Sequence, residues 1–203
     1  MHLADIPVPS TPAAHAALDV VSEYSPPALV NHCVRSYLLA ASRAELEQLQ
    51  IDHELLYVSS LLHDLALEPA FDSHTLPFED AGGHVAWVFA AGAGWPRERR
   101  TRAAEIIVAH MRGADPAVDP EGYLLAVATG LDISGRDVHR WPRPLLVEML
   151  AAHPRLDLAR RFTACFVDQA ARKSDSTAAI AVRAGIGDRL ATNPLERLTR
   201  DHG

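Results

Sequence analysis

Apolar residues recur at helical spacing along most of the chain. The segments with this pattern each end at proline, glycine or a polar turn, and they cover residues 13–23, 27–48, 52–66, 80–93, 97–112, 119–132, 143–151, 156–173, 176–184 and 187–191. No window combines sustained apolar–polar alternation with β-branched residues, so strands are not expected. The pattern predicts an all-α fold in the form of a compact helical bundle.

The amino-terminal residues depart from this pattern. Pro7, Pro9 and Pro12 predict an extended arm over residues 1–12, because proline lacks an amide hydrogen and disfavours helix in the residue before it. No change in composition divides the rest of the chain. With 203 residues and 48% hydrophobic content, the chain can bury one substantial core. We therefore expect a single domain over residues 13–203.

Charge and composition narrow the possible partners. The formal net charge is −7 and the arginines are scattered, which argues against nucleic acid as the main partner. The chain has no basic region followed by an apolar stretch at its start, and no apolar run reaches about eighteen residues, so we expect a cytoplasmic protein without a membrane segment. A small-molecule substrate is the expected partner. The apolar carboxyl-terminal helices could also join copies of the chain into a homo-oligomer.

The two cysteines are too few for a disulfide framework. Cys33 and Cys165 both lie in apolar helical contexts, which is typical of buried free thiols. The sequence therefore predicts that neither cysteine forms a disulfide.

The dipeptide His63-Asp64 at the end of an apolar helical segment is the clearest chemical signal. A buried aspartate is costly unless a charged group meets it, and the adjacent imidazole favours a divalent metal ion as that group. His32 and Asp132 lie in two other apolar helical segments. Together these residues offer two imidazoles and two carboxylates to one ion, which leaves positions for water or substrate.

Several motifs occur in an order that resembles a known family. They are Asn-His-x-x-Arg-x-Tyr at 31–37, His-Asp-Leu at 63–65, Phe78-Glu79 followed by Gly82-Gly83, Ile107-x-x-His110, Gly130-Leu-Asp-Ile133 and Asp168-Gln-Ala-Ala-Arg-Lys173. The set resembles the HD superfamily of metal-dependent hydrolases and is similar to the small bacterial HD proteins grouped with cyanamide hydratase. The resemblance implies an all-helical HD domain with a metal ion held by His32, His63, Asp64 and Asp132.

One position departs from the dinuclear members of the superfamily. They carry two further histidines after the dipeptide; here the first falls on Phe78, and only His110 matches the second. A phenyl ring cannot ligate a metal, so the resemblance implies one divalent ion. Mixed histidine and carboxylate ligation suits zinc as the first choice, with iron or manganese as alternatives.

Roles in catalysis follow from the resemblance and from local context. Asp64 is the candidate general base, and His110 is a candidate to contact substrate or donate a proton, although a cation also suits its place at a helix end. The irregular segment 66–80 is expected to shape the pocket, with Phe78 as a wall. Glu79 is a candidate substrate contact that could instead pair with Arg35 or stabilise the next helix.

Other residues of the motifs, and the remaining histidines, have structural interpretations as well as functional ones. Arg35 is a further candidate for substrate contact, although bracing of the helices through ion pairs is the preferred interpretation for both Arg35 and Lys173. His84 is predicted to be a packing residue. His74, His139 and His153 are expected on the surface or in loops.

The expected reaction adds a metal-activated water to a small carbon–nitrogen substrate of the cyanamide, nitrile or amide type. Phosphoryl transfer needs cations around three oxygens, and the motifs offer little beyond Arg35 and Lys173. A phosphohydrolase acting on a small phosphate ester or nucleotide is the alternative. A metal-dependent ligand sensor without catalysis is a third hypothesis.

Overall fold

A computed structural model describes residues 1–198, and the regular structure in this range is entirely helical. The all-α prediction is therefore confirmed. The helices are α1 (Pro12–Tyr24), α2 (Pro27–Glu47), α3 (His53–Leu62), α4 (Phe78–Gly92), α5 (Arg97–Arg112), α6 (Pro120–Ser134), α7 (Arg143–Ala152), α8 (Leu158–Arg172), α9 (Thr177–Arg183), α10 (Ile186–Ala191) and α11 (Leu195–Leu198).

The centre of the bundle is α2, which packs against α3 and α6. Pro27 occupies its first turn, where a missing amide hydrogen has no cost, and Gln48 ends it in the left-handed conformation. Fourteen of its residues are buried, and its core-facing side includes His32. The neighbouring α5 packs on α3, α4 and α6. This arrangement directs side chains from α2, α5 and the end of α3 toward one point.

The helix predicted over 52–66 stops earlier in the structure. Asp52 caps α3 by accepting a hydrogen bond from the amide of Leu55 at 3.0 Å, but the helix ends at Leu62. His63 and Asp64 occupy the turn that follows, before a short 3-10 turn over Leu65–Leu67. The two functional candidates thus lie at a change in chain direction, not inside a helix.

The next helix begins two residues before its predicted start. Phe78 and Glu79, expected in the irregular segment, form the first turn of α4 directly after Pro77. The carboxylates of Glu79 and Asp80 favour this start because they lie near the positive end of the helix dipole.

Near the carboxyl end, the buried side of α8 carries Phe162 and Phe166, and the helix packs against α9 and α10. At the end of α8, Lys173 donates to Asp72 at 3.0 Å and to Gln169 at 2.6 Å. Lys173 therefore ties the segment between α3 and α4 to α8, in the bracing role expected for it.

The amino-terminal arm packs onto the body of the protein. It contains a 3-10 turn over Leu3–Asp5, its Ile6 is buried, and the hydroxyl of Tyr37 donates to the carbonyl of Pro7. Both cysteines are free: Cys33 is buried and Cys165 is half-buried. Burial raises the pKa of the Cys165 thiol to about 11. Among the described residues, no helix is long and apolar enough to cross a membrane.

Candidate metal centre

His32, His63 and Asp64 meet in the interior of the bundle. Each offers one ligand atom to a group in which all atoms lie within 4.8 Å of one another, and all three residues are buried. Oδ2 of Asp64 lies 3.2 Å from Nε2 of His32 and 3.1 Å from Nε2 of His63. The structure therefore brings together three of the four predicted ligands.

The outer nitrogen of each histidine ring is fixed by a hydrogen bond. Nδ1 of His32 donates to Oδ2 of Asp132 at 2.6 Å, Nδ1 of His63 donates to the carbonyl of Ser60 at 2.7 Å, and Nδ1 of His110 donates to the carbonyl of Ile107. Carbonyls and carboxylates only accept hydrogen bonds, so Nδ1 carries the hydrogen in each neutral ring. Nε2 is left with a lone pair directed into the site.

The atoms that face inward lack hydrogen-bond partners. Nε2 of His32, Nε2 of His63 and both oxygens of Asp64 are buried and form no hydrogen bond among the described residues, despite their short separations. Ligand atoms about 2.0–2.2 Å from a tetrahedral ion lie roughly 3.4 Å apart, close to the separations observed here. Since an unsatisfied buried carboxylate is costly, the donor set fits a divalent cation.

Asp64 is ionised in this setting. Burial by itself would raise its pKa, but His63 and His32 outweigh that effect and hold the pKa of Asp64 far below its usual range. The same carboxylate, together with Asp132, raises the pKa of His32 against the lowering effect of burial. The carboxylate of Asp64 thus supplies a negative charge that a cation can meet.

His110 stands at the edge of this group, near the end of α5. Its Nε2 lies 3.8 Å from Oδ1 of Asp64, and its ring makes edge-on contacts with His63 and Phe78 at centroid distances of 4.8 and 5.7 Å. Burial and the neighbouring His63 lower the pKa of His110 to about 3. The ring is therefore neutral at pH 7 and presents a lone pair, not a proton, toward Asp64.

Asp132 has a different set of contacts. Its Oδ1 accepts from Nε of Arg35 and from Nη1 of Arg155, both at 2.9 Å, and its Oδ2 accepts from Nη2 of Arg35 at 2.7 Å as well as from His32. Burial would raise its pKa, but the two guanidinium groups hold the pKa of Asp132 well below its usual range. Asp132 does not belong to the converging group, and its role as a metal ligand stays a prediction.

A cavity of about 330 Å³ opens above the converging atoms. His32, His63, Asp64 and His110 line its buried end, and Phe162 and Phe166 form an aromatic wall with their rings stacked 4.7 Å apart. The volume is in the range of sites for small ligands. The side chains at its other end are exposed and include Arg136 and Arg189.

Three arginines line this cavity, and they differ in whether other groups of the protein already bind their guanidinium groups. Arg112 pairs with Asp80 at 2.6 Å, and Arg189 donates to the carbonyl of Ala184. The guanidinium of Arg136 lies beside Gly130 and has no ion pair within residues 1–198. No local pattern marks these residues in the sequence, because they come from the ends or junctions of three separate helices.

Three predicted substrate contacts lie outside the cavity lining. Phe78 is buried between His110 and Phe166, Glu79 accepts a hydrogen bond from Thr177 at 2.8 Å, and Arg35 is fully buried against Asp132. Their contact with a substrate stays a prediction. His84 is exposed and lines a separate surface cavity between α4 and α5.

Comparison with known proteins places this site in a family. The chain matches the family model described as HD domain over residues 29–157, well over half of its length. A search of curated proteins found no significant match to the chain. The matched range contains His32, His63, Asp64, His110 and Asp132.

Proposed function

This chain belongs to the HD domain family, and on that premise we propose that it is a metal-dependent hydrolase acting on a small phosphate ester. Proteins of the family are in general metal-dependent hydrolases, and the described residues include a His/Asp cluster that could hold a divalent ion. The convergence of unpartnered donor atoms from His32, His63 and Asp64 carries the proposal.

We assign the ligands from the direction of each donor atom. Nε2 of His32, Nε2 of His63 and one oxygen of Asp64 would hold the ion, with Nε2 of His110 near enough to complete the set. Asp132 would orient His32, since both of its oxygens already accept hydrogen bonds. Zinc is the first candidate metal, and iron or manganese are alternatives.

When bound, a divalent ion supplies Lewis-acid chemistry that acidifies a water and polarises the substrate. Asp64 has a second unpartnered oxygen, which can accept a proton from the attacking water. The hydrogen bonds to His32 and His63 keep both rings fixed during the reaction. Phe162 and Phe166 exclude water from one side of the cavity.

The arginines that line the cavity favour a phosphate ester as substrate. A phosphoryl group spreads negative charge over its oxygens during transfer, and guanidinium groups bind such oxygens in pairs. Arg136 and Arg189 are the two cavity arginines without a carboxylate partner among residues 1–198. They lie at the exposed end of the cavity and can bind oxygens of a phosphate whose phosphorus faces Asp64, with the ester bond directed away from the attacking water.

Hydration of a small carbon–nitrogen compound is the second candidate. The stacked wall of Phe162 and Phe166 suits a compact, uncharged substrate such as a nitrile or cyanamide. Phe78, at the position where dinuclear relatives have a ligand, favours a single-ion site for this reaction as well. Catalysis of either kind would exclude the hypothesis of a sensor without turnover.

A substrate panel separates these reactions. Metal-loaded protein should be assayed with phosphate monoesters and nucleotides beside cyanamide, nitriles and amides, with release of phosphate, ammonia and urea followed. Metal-dependent phosphate release supports the first proposal. Turnover of carbon–nitrogen compounds alone would replace it with the second, and no turnover of any compound by fully loaded protein would favour the sensor.

Arginine variants test the substrate class directly. Arg136→Gln should raise KM for a phosphate ester about tenfold or more, because one charge-assisted pair to phosphate is lost. Arg183→Gln is the control, since within residues 1–198 Arg183 donates only to the carbonyl of Ser174, and it does not line the cavity. An unchanged KM in the Arg136 variant would contradict the assignment of the phosphate-binding end.

A further inference from the structure

Arg155 is a buried cation in the connection between α7 and α8, far along the chain from His32, His63 and Asp64. Its side chain is 2% exposed. Nη1 donates to the backbone carbonyl of Asp132 at 2.5 Å and to Oδ1 of Asp132 at 2.9 Å, and Nε donates to Oε1 of Glu196 at 2.6 Å. Arg155 therefore joins the end of α6 to α11.

The other oxygen of Asp132 reaches the metal-binding group. Oδ2 accepts from Nδ1 of His32 at 2.6 Å, and Nε2 of the same ring faces Asp64. The hydrogen bonds thus run without a break from Glu196 through Arg155 and Asp132 to His32. A rotation of the Asp132 carboxylate would turn the His32 ring, because both groups are buried and fixed by the same contact.

The carboxyl-terminal segment adds further contacts to the same point. Nδ2 of Asn193 donates to the carbonyl of Asp132 at 2.9 Å. Pro194 packs so closely on Gly135 that a Cβ atom there would lie 2.2 Å from Cδ of the proline. Residues 193–196 therefore hold the end of α6 both through hydrogen bonds and through direct packing.

The charge of Asp132 does not by itself require Arg155. Arg35 already forms two parallel hydrogen bonds with the carboxylate, which is the strong arrangement for such a pair. A second buried guanidinium carries a desolvation cost that its partners must offset. Of its three donor contacts, one reaches Oδ1 of the Asp132 carboxylate, one reaches the backbone carbonyl of Asp132, and one reaches Glu196, so Arg155 ties both the side chain and the backbone of Asp132 to α11.

From these contacts we propose that Arg155, held by Glu196, is a positioning residue that sets the direction of His32 and thereby the affinity of the site for its metal ion. The proposal rests on the proposed function in one respect, namely that His32 is a ligand. It gives residues 193–196, which hold Arg155 and the end of α6, a role in metal binding.

The test measures metal binding without reference to catalysis. Zn²⁺ affinity of full-length protein is determined by competition with a chelating dye, and the visible spectrum of the Co²⁺-loaded protein reports ligand geometry. Arg155→Gln should weaken Zn²⁺ binding about 10- to 100-fold, as alteration of groups behind a metal ligand typically does. It should also change the Co²⁺ spectrum at saturation. Arg155→Lys should recover part of the affinity, because one ammonium can replace some of the donors.

A milder variant keeps the test informative if Arg155→Gln does not fold. Glu196→Gln retains the shape of the side chain and weakens the charged contact to Arg155, so it should lower Zn²⁺ affinity by a smaller factor with the same spectral change. Arg160→Gln is the matched control, because this exposed arginine pairs only with Asp157 in the described structure. Its affinity and spectrum should equal those of the unmodified protein.

The outcomes separate this inference from the proposed function. If the unmodified protein binds no Zn²⁺ or Co²⁺, the metal-dependent function fails. If it binds metal but folded Arg155→Gln or Glu196→Gln keeps the same affinity and spectrum, only the positioning role fails. A rise in affinity in Arg155→Gln would overturn the inference too, since Arg155 would then compete with the metal for Asp132.

Discussion

Asp132 and His32 lie one hundred residues apart in the chain, and Oδ2 of the carboxylate is 2.6 Å from Nδ1 of the ring. This contact determines which nitrogen of His32 carries the hydrogen and which faces Asp64. The geometry of the site therefore depends on a residue that lies outside the converging group of His32, His63 and Asp64.

Replacement of Asp132 by asparagine tests whether it orients or ligates. Asp132→Asn should lower the free energy of unfolding by about 3–5 kcal/mol, because Arg35 and Arg155 lose their buried counter-charge. Metal affinity should fall by about 10- to 100-fold without disappearing. Urea denaturation and dye competition measure the two effects. Complete loss of metal in a folded Asp132→Asn protein would instead make Asp132 a ligand.

Removal of a ligand should have a larger effect on metal content. His32→Ala and His63→Ala should each empty the site, because both Nε2 atoms belong to the converging group. His84→Ala is the control, since this exposed histidine lies in a different cavity. Elemental analysis after gel filtration gives the result. Metal retained by folded His32→Ala but lost from His84→Ala would contradict the assignment.

The number of bound ions is a separate prediction. We expect one tightly held ion per chain, because the sequence resemblance places Phe78 where dinuclear HD proteins have a histidine, and its ring is buried against His110 and Phe166. Elemental analysis of protein purified without added metal, combined with an accurate protein concentration, gives the stoichiometry. Two equivalents per chain, both released by the His63→Ala change, would show that a second ion binds at this centre.

Close packing of α4 on the metal-binding turn gives a further prediction. A Cβ atom on Gly82 would lie 3.2 Å from the carbonyl oxygen of His63 and 3.4 Å from Cγ2 of Ile107. Gly82→Ala should therefore destabilise the protein by about 1–3 kcal/mol, as overpacking of a core does. Because it displaces the backbone of His63, it should also weaken metal binding.

Gly92, at the end of the same helix, is the matched control. Apart from its chain neighbours and the backbone of its own helix, a Cβ atom there meets no atom of residues 1–198 within 4 Å, so Gly92→Ala should leave stability unchanged or raise it by up to about 1 kcal/mol. Thermal unfolding with and without Zn²⁺ compares the two variants. Equal behaviour of both would show that the contact between Gly82 and His63 has no effect on the site.

Local sequence signals predicted the parts of the site that depend on local structure. The helices follow from apolar spacing, and a histidine next to an aspartate in an apolar segment indicates a buried charged group. The end of α3 before His63 was missed because nothing in the apolar pattern breaks there. The family resemblance, more than spacing, selected His32 and Asp132 among several histidines and aspartates.

Long-range contacts explain what sequence alone did not predict. Arg155 follows Pro154 in a connection between helices, and its burial depends on Glu196 and Asp132, which no local pattern joins to it. For the same reason, the arginines that line the cavity appear in the sequence only as scattered charges. Only the folded chain places Arg136 and Arg189 at one end of a single cavity.

The contact of Glu196 with Arg155 has a consequence for the order in which the protein can mature. Synthesis proceeds from the amino terminus, so His32, His63 and Asp132 have all left the ribosome before Glu196 is added to the chain. Until then Arg155 lacks Glu196 and has Asp132 as its carboxylate partner, and Pro194 has not packed on Gly135. The complete set of contacts behind His32 therefore forms only after Glu196 has been synthesised, whereas His32, His63 and Asp64 can come together before that set is in place.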